Sequence, residues 1–180
     1  MAEKKKKGGN VAQSVWRLAE PFAAELGLSI WDVRFVKEGA YHYLRVFIDK
    51  PEGITIDDCE AMSRAINGPL DELDPIDGEY CLEVCSPGIE RELTRPEHFA
   101  SYIGAVLNVR LIRPLVDGRK ELVAILHSYE ENEMELETQD GEFLHVKKKE
   151  AASVRLNEDY VDIDETDEEI DMEGLEKNEQ

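Results

Sequence analysis

The sequence predicts an α+β protein built from an N-terminal α-β-β-α-β domain and a small five-stranded β-barrel. The first half contains two kinds of segment. Some have apolar residues at helical spacing, and others have apolar and polar residues in strict alternation, which is typical of strands. In the second half, short alternating segments separated by turn residues predominate. The change follows Ser86-Pro87-Gly88, where Pro87 fixes φ and Gly88 permits a positive φ. We therefore interpret these three residues as the interdomain turn.

The first domain begins with a predicted helix and a hairpin. An apolar stripe that starts at Val11 indicates a helix that Gly27 ends. Pro21 lies inside this stripe and is expected to kink or divide the helix, because proline lacks the N–H that the helix needs. Alternation over residues 31–35 and 44–48 then predicts two antiparallel strands joined by a tight turn.

A second helix and a third strand complete this domain. Thr55 is a favourable N-cap, and Asp57 and Asp58 follow it where the helix dipole favours carboxylates. The apolar stripe continues to Leu73, although Gly68-Pro69 is expected to interrupt it. Residues 80–85 alternate as a half-buried strand. The resulting order places helices on one face of a small sheet.

The second domain begins with a short helical segment over residues 96–102, which Gly104 ends. Asp117-Gly118 and Asp140-Gly141 are hairpin signals. Five short strands with tight turns favour a closed barrel, because closure leaves no exposed sheet edge. The predicted strands are Val106–Ile112, Glu121–Tyr129, Glu133–Glu137, Glu142–Val146 and Ser153–Leu156.

Charge is spread unevenly along the 180 residues, whose formal net charge is −20. Residues 1–10 carry +3 and are expected to form a disordered basic extension. The N-terminal domain, residues 11–91, carries −9, and the barrel domain, residues 92–157, carries −3. Residues 158–180 carry −11 and are expected to form a disordered acidic tail. This balance disfavours duplex DNA or an anionic membrane as the main partner, because phosphate binding depends on clustered Lys and Arg.

The chain carries no sign of export or membrane insertion. No apolar run approaches the length of a membrane span. Lys4 to Lys7 are not followed by the apolar segment of a secretory signal. The three cysteines have no disulfide spacing, so we expect a reducing cytoplasm.

No set of residues predicts a catalytic or metal site. Ser86 lacks the G-x-S-x-G setting of a nucleophile, and no histidine is convincingly placed as its base. Asp57 and Asp58 are better explained by helix capping than by acid–base chemistry. Cys81 and Cys85 would face the same side of a strand, but two further ligands are missing. We therefore expect no enzymatic activity, no cofactor and no metal.

Residues 11–156, close to the whole predicted folded part, resemble the ribosome maturation factor RimP family. The resemblance is carried by LAEPFAAELGLSIWDVRFVKEG (18–39), YLRVFIDKPEGITIDDCEAMSRAI (43–66), LDELDPIDGEYCLEVCSPGIERELTRPEHF (70–99), IGAVLNVRL (103–111) and DGRKELVAIL (117–126). Three features depart from the family pattern, and one of them is Gly68-Pro69 late in the second helix. Cys85 stands where a serine is expected, and Glu92 stands where a proline is common.

This resemblance implies a KH-like first domain and an Sm-like or SH3-like barrel. It also implies a non-enzymatic cytoplasmic factor, which we expect to be monomeric, that binds the free small (30S) ribosomal subunit and promotes its assembly. Its partners would be rRNA and a basic small-subunit ribosomal protein, with no DNA and no membrane involved. An alternative is a free RNA-binding regulator that uses the KH-like domain, but no GXXG loop lies between the predicted helices.

Basic residues of the second half are the candidates for ribosome contact. Arg residues suit bidentate contact with phosphate, and Lys residues act as point charges. Because the same domain carries twelve acidic residues, a solvated surface is the simpler interpretation of these cations, and contact with rRNA or with an acidic patch of a partner is the alternative. The candidates are Arg91, Arg95, Arg113, Arg119 and Lys120, with a further basic run at Lys147, Lys148 and Lys149.

Overall fold

The computed structural model describes residues 11–89 and 91–157. The predictions for the basic extension and the acidic tail lie outside these residues. The chain divides into two compact units between Gly88 and Ile89. Each unit has its own hydrophobic core.

The first domain has the predicted α-β-β-α-β order. Strands β1 and β2 are antiparallel, and β3 runs parallel to β2, so the second helix is the crossover that joins them. The buried side chains of both helices and of β2 form one core on a single face of the sheet. The elements are α1 (Val11–Glu25), β1 (Ser29–Glu38), β2 (Tyr41–Asp49), α2 (Ile56–Leu73) and β3 (Cys81–Cys85).

Helix α1 ends as its sequence predicts but is not divided by Pro21. Leu28 N–H donates to Ala23 O at 2.8 Å, and Gly27 has a φ of +71°. This is a Schellman C-terminus, which a glycine forms without steric cost. The helix passes through Pro21, so the predicted division is wrong. Arg17 and Pro21 are both exposed, so the proline, which cannot donate a backbone hydrogen bond, lies on the solvent side of the helix.

Helix α2 has the predicted cap and a longer body than expected. Thr55 Oγ1 accepts the Asp58 N–H at 3.2 Å, and the Asp58 carboxylate accepts the Thr55 N–H at 2.8 Å. This reciprocal pair is a capping box. The predicted interruption at Gly68-Pro69 is wrong, since the helix continues to Leu73. Ile66 and Leu70 are both buried, and this apolar contact holds the final turns against the sheet.

The second domain contains one short helix and five antiparallel strands. The sheet order is β7-β6-β5-β4-β8. A 3-10 turn, Lys148–Glu150, connects β7 to β8. All five predicted strands are present, and they are β4 (Val106–Leu111), β5 (Glu121–Glu130), β6 (Glu133–Thr138), β7 (Phe143–Lys147) and β8 (Ala151–Leu156), preceded by α3 (Pro96–Ser101).

The five-stranded sheet is curled, but its closure into a barrel is not found. In a flat sheet, β7 and β8 would lie about 19 Å apart, at about 4.8 Å for each strand spacing. The chain from Lys147 to Ala151 spans at most about 14 Å even when extended. The sheet must therefore curl to bring its two edges towards each other. Within residues 91–157, however, no hydrogen-bonded ladder joins β7 to β8.

The curled sheet encloses the second core. Phe99 of α3 is fully buried, and its ring stacks on Tyr129 of β5 with the centroids 4.2 Å apart. Alternate residues of β6, including Met134 and Leu136, are also fully buried. Burial of this kind contributes about 25 cal/mol for each Å² of apolar surface removed from water. Because the buried residues of each strand are held in this core, the residues that alternate with them face outward.

Candidate functional site

The Ser86-Pro87-Gly88 segment forms a hydrogen-bonded turn directly after β3. Gly88 N–H donates to Ser86 Oγ at 3.1 Å, and Gly88 has a φ of +79°. A side chain other than hydrogen would be strained at that φ. The Ser86 hydroxyl thus accepts a local backbone hydrogen bond, which is a structural use of the group.

Arginines of the first domain are held by carboxylates on the sheet face opposite the helices. Arg45 bonds Glu83 at 2.6 Å through Nε and Glu38 at 2.7 Å through Nη1. These hydrogen bonds, which Arg45 donates to Glu38 and to Glu83, raise the pKa of Arg45, and the one to Glu38 has the larger effect. Arg34 pairs with Asp32 in the same way, at 2.8 Å. Neutralisation of both guanidinium groups weakens the attraction of this face for phosphate.

The same arginines lie over aromatic rings. The Arg34 guanidinium carbon is 5.0 Å from the centre of the Phe47 ring, and that of Arg45 is 5.1 Å from the centre of the Tyr43 ring. Cation–π contacts of this length are favourable. The rings therefore already have cationic partners within the domain.

Arg91 and Arg95 take part in the structure that starts the second domain. The Arg91 carbonyl accepts the Leu156 N–H at 3.0 Å, which ties this segment to β8. Arg95 precedes α3 and pairs with Glu97 at 3.5 Å. The buried His98 accepts the Arg95 N–H at its Nδ1, so this histidine closes the first turn of α3.

Arg119 is engaged by two carboxylates. Its Nε lies 2.5 Å from Asp117, and its Nη2 lies 2.8 Å from Glu142. The hydrogen bonds that Arg119 donates to Glu142 and to Asp117 raise the pKa of Arg119, and those from the Arg119 backbone and side chain lower the pKa of Asp117. Arg119 therefore links the two turns that carry the predicted Asp-Gly hairpin signals. Lys120, its neighbour, is exposed.

Arg113 lies elsewhere, in a cavity that the sequence does not predict. This first cavity has a volume of about 570 Å³. One backbone hydrogen bond assembles it, because Ile112 N–H donates to Glu150 O at 2.8 Å and so joins the end of β4 to the 3-10 turn. The cavity is lined by Leu111, Ile112, Arg113, Pro114, Leu115, His145, Val146, Lys149 and Glu150.

A second cavity borders the same 3-10 turn and also includes Lys149. Its volume is about 590 Å³, and Glu131, Asn132, Lys147, Lys148 and Lys149 line it. Glu131 and Asn132 have φ values of +51° and +64°, as a type I′ hairpin turn requires. Lys148 N–H donates to Asn132 O at 2.7 Å, which fixes the turn against the basic run.

Four cations of these cavities form what we call the basic turn surface: Arg113, Lys147, Lys148 and Lys149. None of them forms an ion pair with a carboxylate among residues 11–89 and 91–157. Two carboxylates, Glu131 and Glu150, line the same cavities. The Glu150 carboxylate accepts the Lys147 N–H at 2.9 Å, so it is partly engaged by the backbone.

The structure thus separates the residues that the sequence groups together. Arg113 joins the lysine run, whereas Arg119 belongs to a carboxylate pair and Lys120 lies outside both cavities. The sequence signal for the lysine run is its composition. The sequence gives no comparable signal for the apolar wall beside Arg113, because its alternating pattern predicts Ile112 only as the last residue of a strand.

The cysteines and the acidic residues of the described chain do not assemble a reactive centre. Cys59, Cys81 and Cys85 are free thiols, and burial raises the pKa of Cys59 and Cys85. Across residues 11–89 and 91–157, no group of three or more His, Cys, Asp or Glu side chains is arranged to hold a metal ion. No helix in this part of the chain is both long and apolar enough to cross a membrane.

These features define an α+β protein of two domains, the second of which carries four clustered cations that form no ion pair among the described residues. Residues 18–90 match the family model of the RimP N-terminal domain. Residues 18–90 of the first domain therefore carry a RimP N-terminal domain, as the sequence resemblance predicts. The RimP match implies a ribosome maturation factor, and RimP proteins are generally non-catalytic assembly factors.

Proposed function

We propose that the protein is a cytoplasmic maturation factor that binds the free small (30S) ribosomal subunit and promotes its assembly. The observation that carries this proposal is the RimP match over residues 18–90. The basic turn surface of the second domain supplies the local positive charge that contact with rRNA needs. No covalent step is required, because a factor that binds one arrangement of a subunit more tightly shifts the population towards it.

The charge distribution supports a contact confined to a small area. The chain as a whole is acidic, with a net charge of −20, so its long-range field repels rRNA. Salt at cellular concentration screens exposed charges beyond about 8 Å. A local cluster of cations can then bind phosphates although the rest of the protein is negative. The acidic remainder favours a basic small-subunit ribosomal protein as the second partner.

The two domains contribute differently to this proposal. Arg34 and Arg45 are neutralised by carboxylates, whereas Arg113 and the lysines of the basic turn surface have no such partner among the described residues. We therefore assign the rRNA contact to the second domain. The Ser86-Pro87-Gly88 turn would connect it to the first domain, and the factor would act as a monomer.

The proposal is tested by co-sedimentation of the full chain with small subunits, large subunits and joined ribosomes. We expect it to migrate with free small subunits alone. The Arg113→Ala/Lys149→Ala variant should lose this migration, and Lys120→Ala serves as the matched control because Lys120 is an exposed cation outside both cavities. Migration with none of the particles would contradict the proposed function.

A free RNA-binding regulator is the competing function. It would use the first domain and would bind naked RNA tightly and with strong salt dependence. The carboxylate partners of Arg34 and Arg45 disfavour it. Tight binding of naked RNA that survives the Arg113→Ala/Lys149→Ala substitutions would favour the regulator.

A further inference from the structure

The two cavities that share Lys149 differ in their chemistry. The first combines Arg113, Lys149 and His145 with an apolar wall. The second is lined by lysines, a glutamate and an asparagine, with no apolar side chain. A ligand that occupies both must be apolar at one end and anionic along the rest. The apolar wall consists of Leu111, Ile112, Pro114, Leu115 and Val146.

We propose that this pair of cavities binds an unpaired segment of RNA, with a nucleobase against the apolar wall and the adjoining phosphates on Lys147, Lys148 and Lys149. This inference rests on the proposed function and deepens it, since it specifies the state of the RNA that the factor contacts. The site selects single strands over duplex.

The apolar wall is what distinguishes a single strand from a duplex. In an RNA duplex the bases are stacked and paired, so the protein meets mainly phosphates and ribose hydroxyls. An unpaired base can leave the stack and place its face against an apolar surface. Ile112 offers such a surface, because its side chain is 54% exposed beside Arg113. A site that bound only the phosphates of a duplex would not need this exposed apolar surface.

The cations are placed to neutralise the phosphates on both sides of that base. Lys149 lines both cavities, so it lies at the junction between the base and the backbone. Arg113 is on the side of the base, where its planar guanidinium can bind a phosphate in bidentate fashion. Four cations face two carboxylates, Glu131 and Glu150, and the excess is positive within an otherwise acidic protein.

The size of the cavities agrees with this ligand. Each has a volume between 500 and 600 Å³, about 570 Å³ on the apolar side and about 590 Å³ on the lysine side. Sites for small organic ligands are typically about 300–1,000 Å³. A nucleobase and a short stretch of backbone can be held in cavities of this volume. An RNA duplex is too large to be held in either of them.

The test is fluorescence anisotropy of the full chain with a short labelled oligouridylate and with a labelled RNA duplex of equal phosphate number. We expect the single strand to bind at least about tenfold more tightly at about 50 mM salt. Ile112→Ala should weaken single-strand binding by roughly threefold to tenfold and leave the weak duplex binding unchanged. Lys148→Ala/Lys149→Ala should weaken both and lower the salt slope of single-strand binding by about 1.4, at about 0.7 for each phosphate contact.

Three results would overturn the inference. Equal affinity for the single strand and the duplex would make the site a phosphate surface only. Absence of oligonucleotide binding would remove the site. Tighter binding of a synthetic peptide of residues 158–180, lost in the same lysine variant, would make the acidic tail the occupant. Lys120→Ala is the control and should bind as the unmodified chain does.

This assay and the proposed function fail independently. Co-sedimentation with small subunits can succeed while the oligonucleotide does not bind, and the nucleotide site alone is then wrong. If the chain does not bind small subunits at all, the proposed function is wrong, whatever the oligonucleotide result is.

Discussion

Arg113 and Lys149 line the same cavity, although one follows β4 and the other lies in the 3-10 turn between β7 and β8. The backbone hydrogen bond from Ile112 N–H to Glu150 O, at 2.8 Å, joins the two segments. By contrast, Arg119 is bound to Asp117 and Glu142. The two arginines therefore carry the same charge but differ in role, because Arg113 lines a cavity whereas Arg119 is held by two carboxylates.

Substitution of these two arginines should separate binding from stability. We expect Arg113→Ala to weaken small-subunit binding several-fold with little change in the free energy of unfolding, because its side chain forms no ion pair among the described residues. Arg119→Ala should leave subunit binding nearly unchanged and shift stability only slightly, since exposed ion pairs contribute little. Co-sedimentation and thermal unfolding of both variants make the comparison. The assignment would be wrong if Arg119→Ala were the variant that lost binding.

The Thr55 cap should contribute measurably to the stability of the first domain. Removal of the hydroxyl in Thr55→Ala leaves the Asp58 N–H without its acceptor. A lost N-cap costs about 1 kcal/mol. Urea unfolding followed by tryptophan fluorescence measures this, since both tryptophans, Trp16 and Trp31, lie in the first domain. Thr55→Ser keeps the hydroxyl and should remain close to the unmodified chain.

Acid should weaken the same cap. Hydrogen bonds from Lys50 and then from Thr55 lower the pKa of Asp58 to about 2, below its ordinary value of 3.8. The unfolded chain therefore binds the proton more readily, so the stabilising contribution is complete above about pH 4 and is lost as the pH falls to about 2. Asp58→Asn should flatten the stability profile in that window, measured by urea unfolding across pH. Asp57→Asn is the matched control, and an equal flattening there would argue against the cap.

The two separate cores predict separate responses to core substitutions. Leu136 is fully buried in the second core, so Leu136→Ala should destabilise that domain by about 2–5 kcal/mol. Tryptophan fluorescence should not follow this change, because both tryptophans belong to the other domain. Far-UV circular dichroism should show the second domain unfolding earlier. If the fluorescence transition shifted by the same amount, the domains would unfold as one cooperative unit. Ile66→Ala, in the first core, should move the fluorescence transition instead.

The acidic tail should influence association mainly at low salt. Residues 158–180 carry a net charge of −11, so their removal changes the field that small subunits encounter. We expect the truncated chain to differ from the full chain in its association rate at about 10 mM ionic strength, where screening extends to about 30 Å, and to match it at about 1 M. Stopped-flow association with small subunits measures this difference. An identical salt dependence would remove the idea that the tail steers association.

Local patterns in the sequence determined most of the secondary structure. The Thr55 cap, the Gly27 helix end and the five strands of the second domain follow from rules that act within a few residues. The division expected at Pro21 and the interruption expected at Gly68-Pro69 are wrong, because α1 and α2 continue through these residues. Burial of apolar side chains on the sheet outweighs a missing hydrogen bond there, and a local rule cannot include that term.

Only the tertiary structure decided which cations remain available. The sequence by itself determined the α+β fold, the two domains and the presence of basic residues around the second-domain hairpins. It could not show that Arg119 pairs with Glu142 or that Arg113 lines the same cavity as Lys149, because in both cases the two residues are far apart in the chain. The sequence shows the same arginine whether or not a carboxylate neutralises that side chain in the folded protein. The curl of the sheet brings the end of β4 to the 3-10 turn, and this arrangement decides which cations remain available.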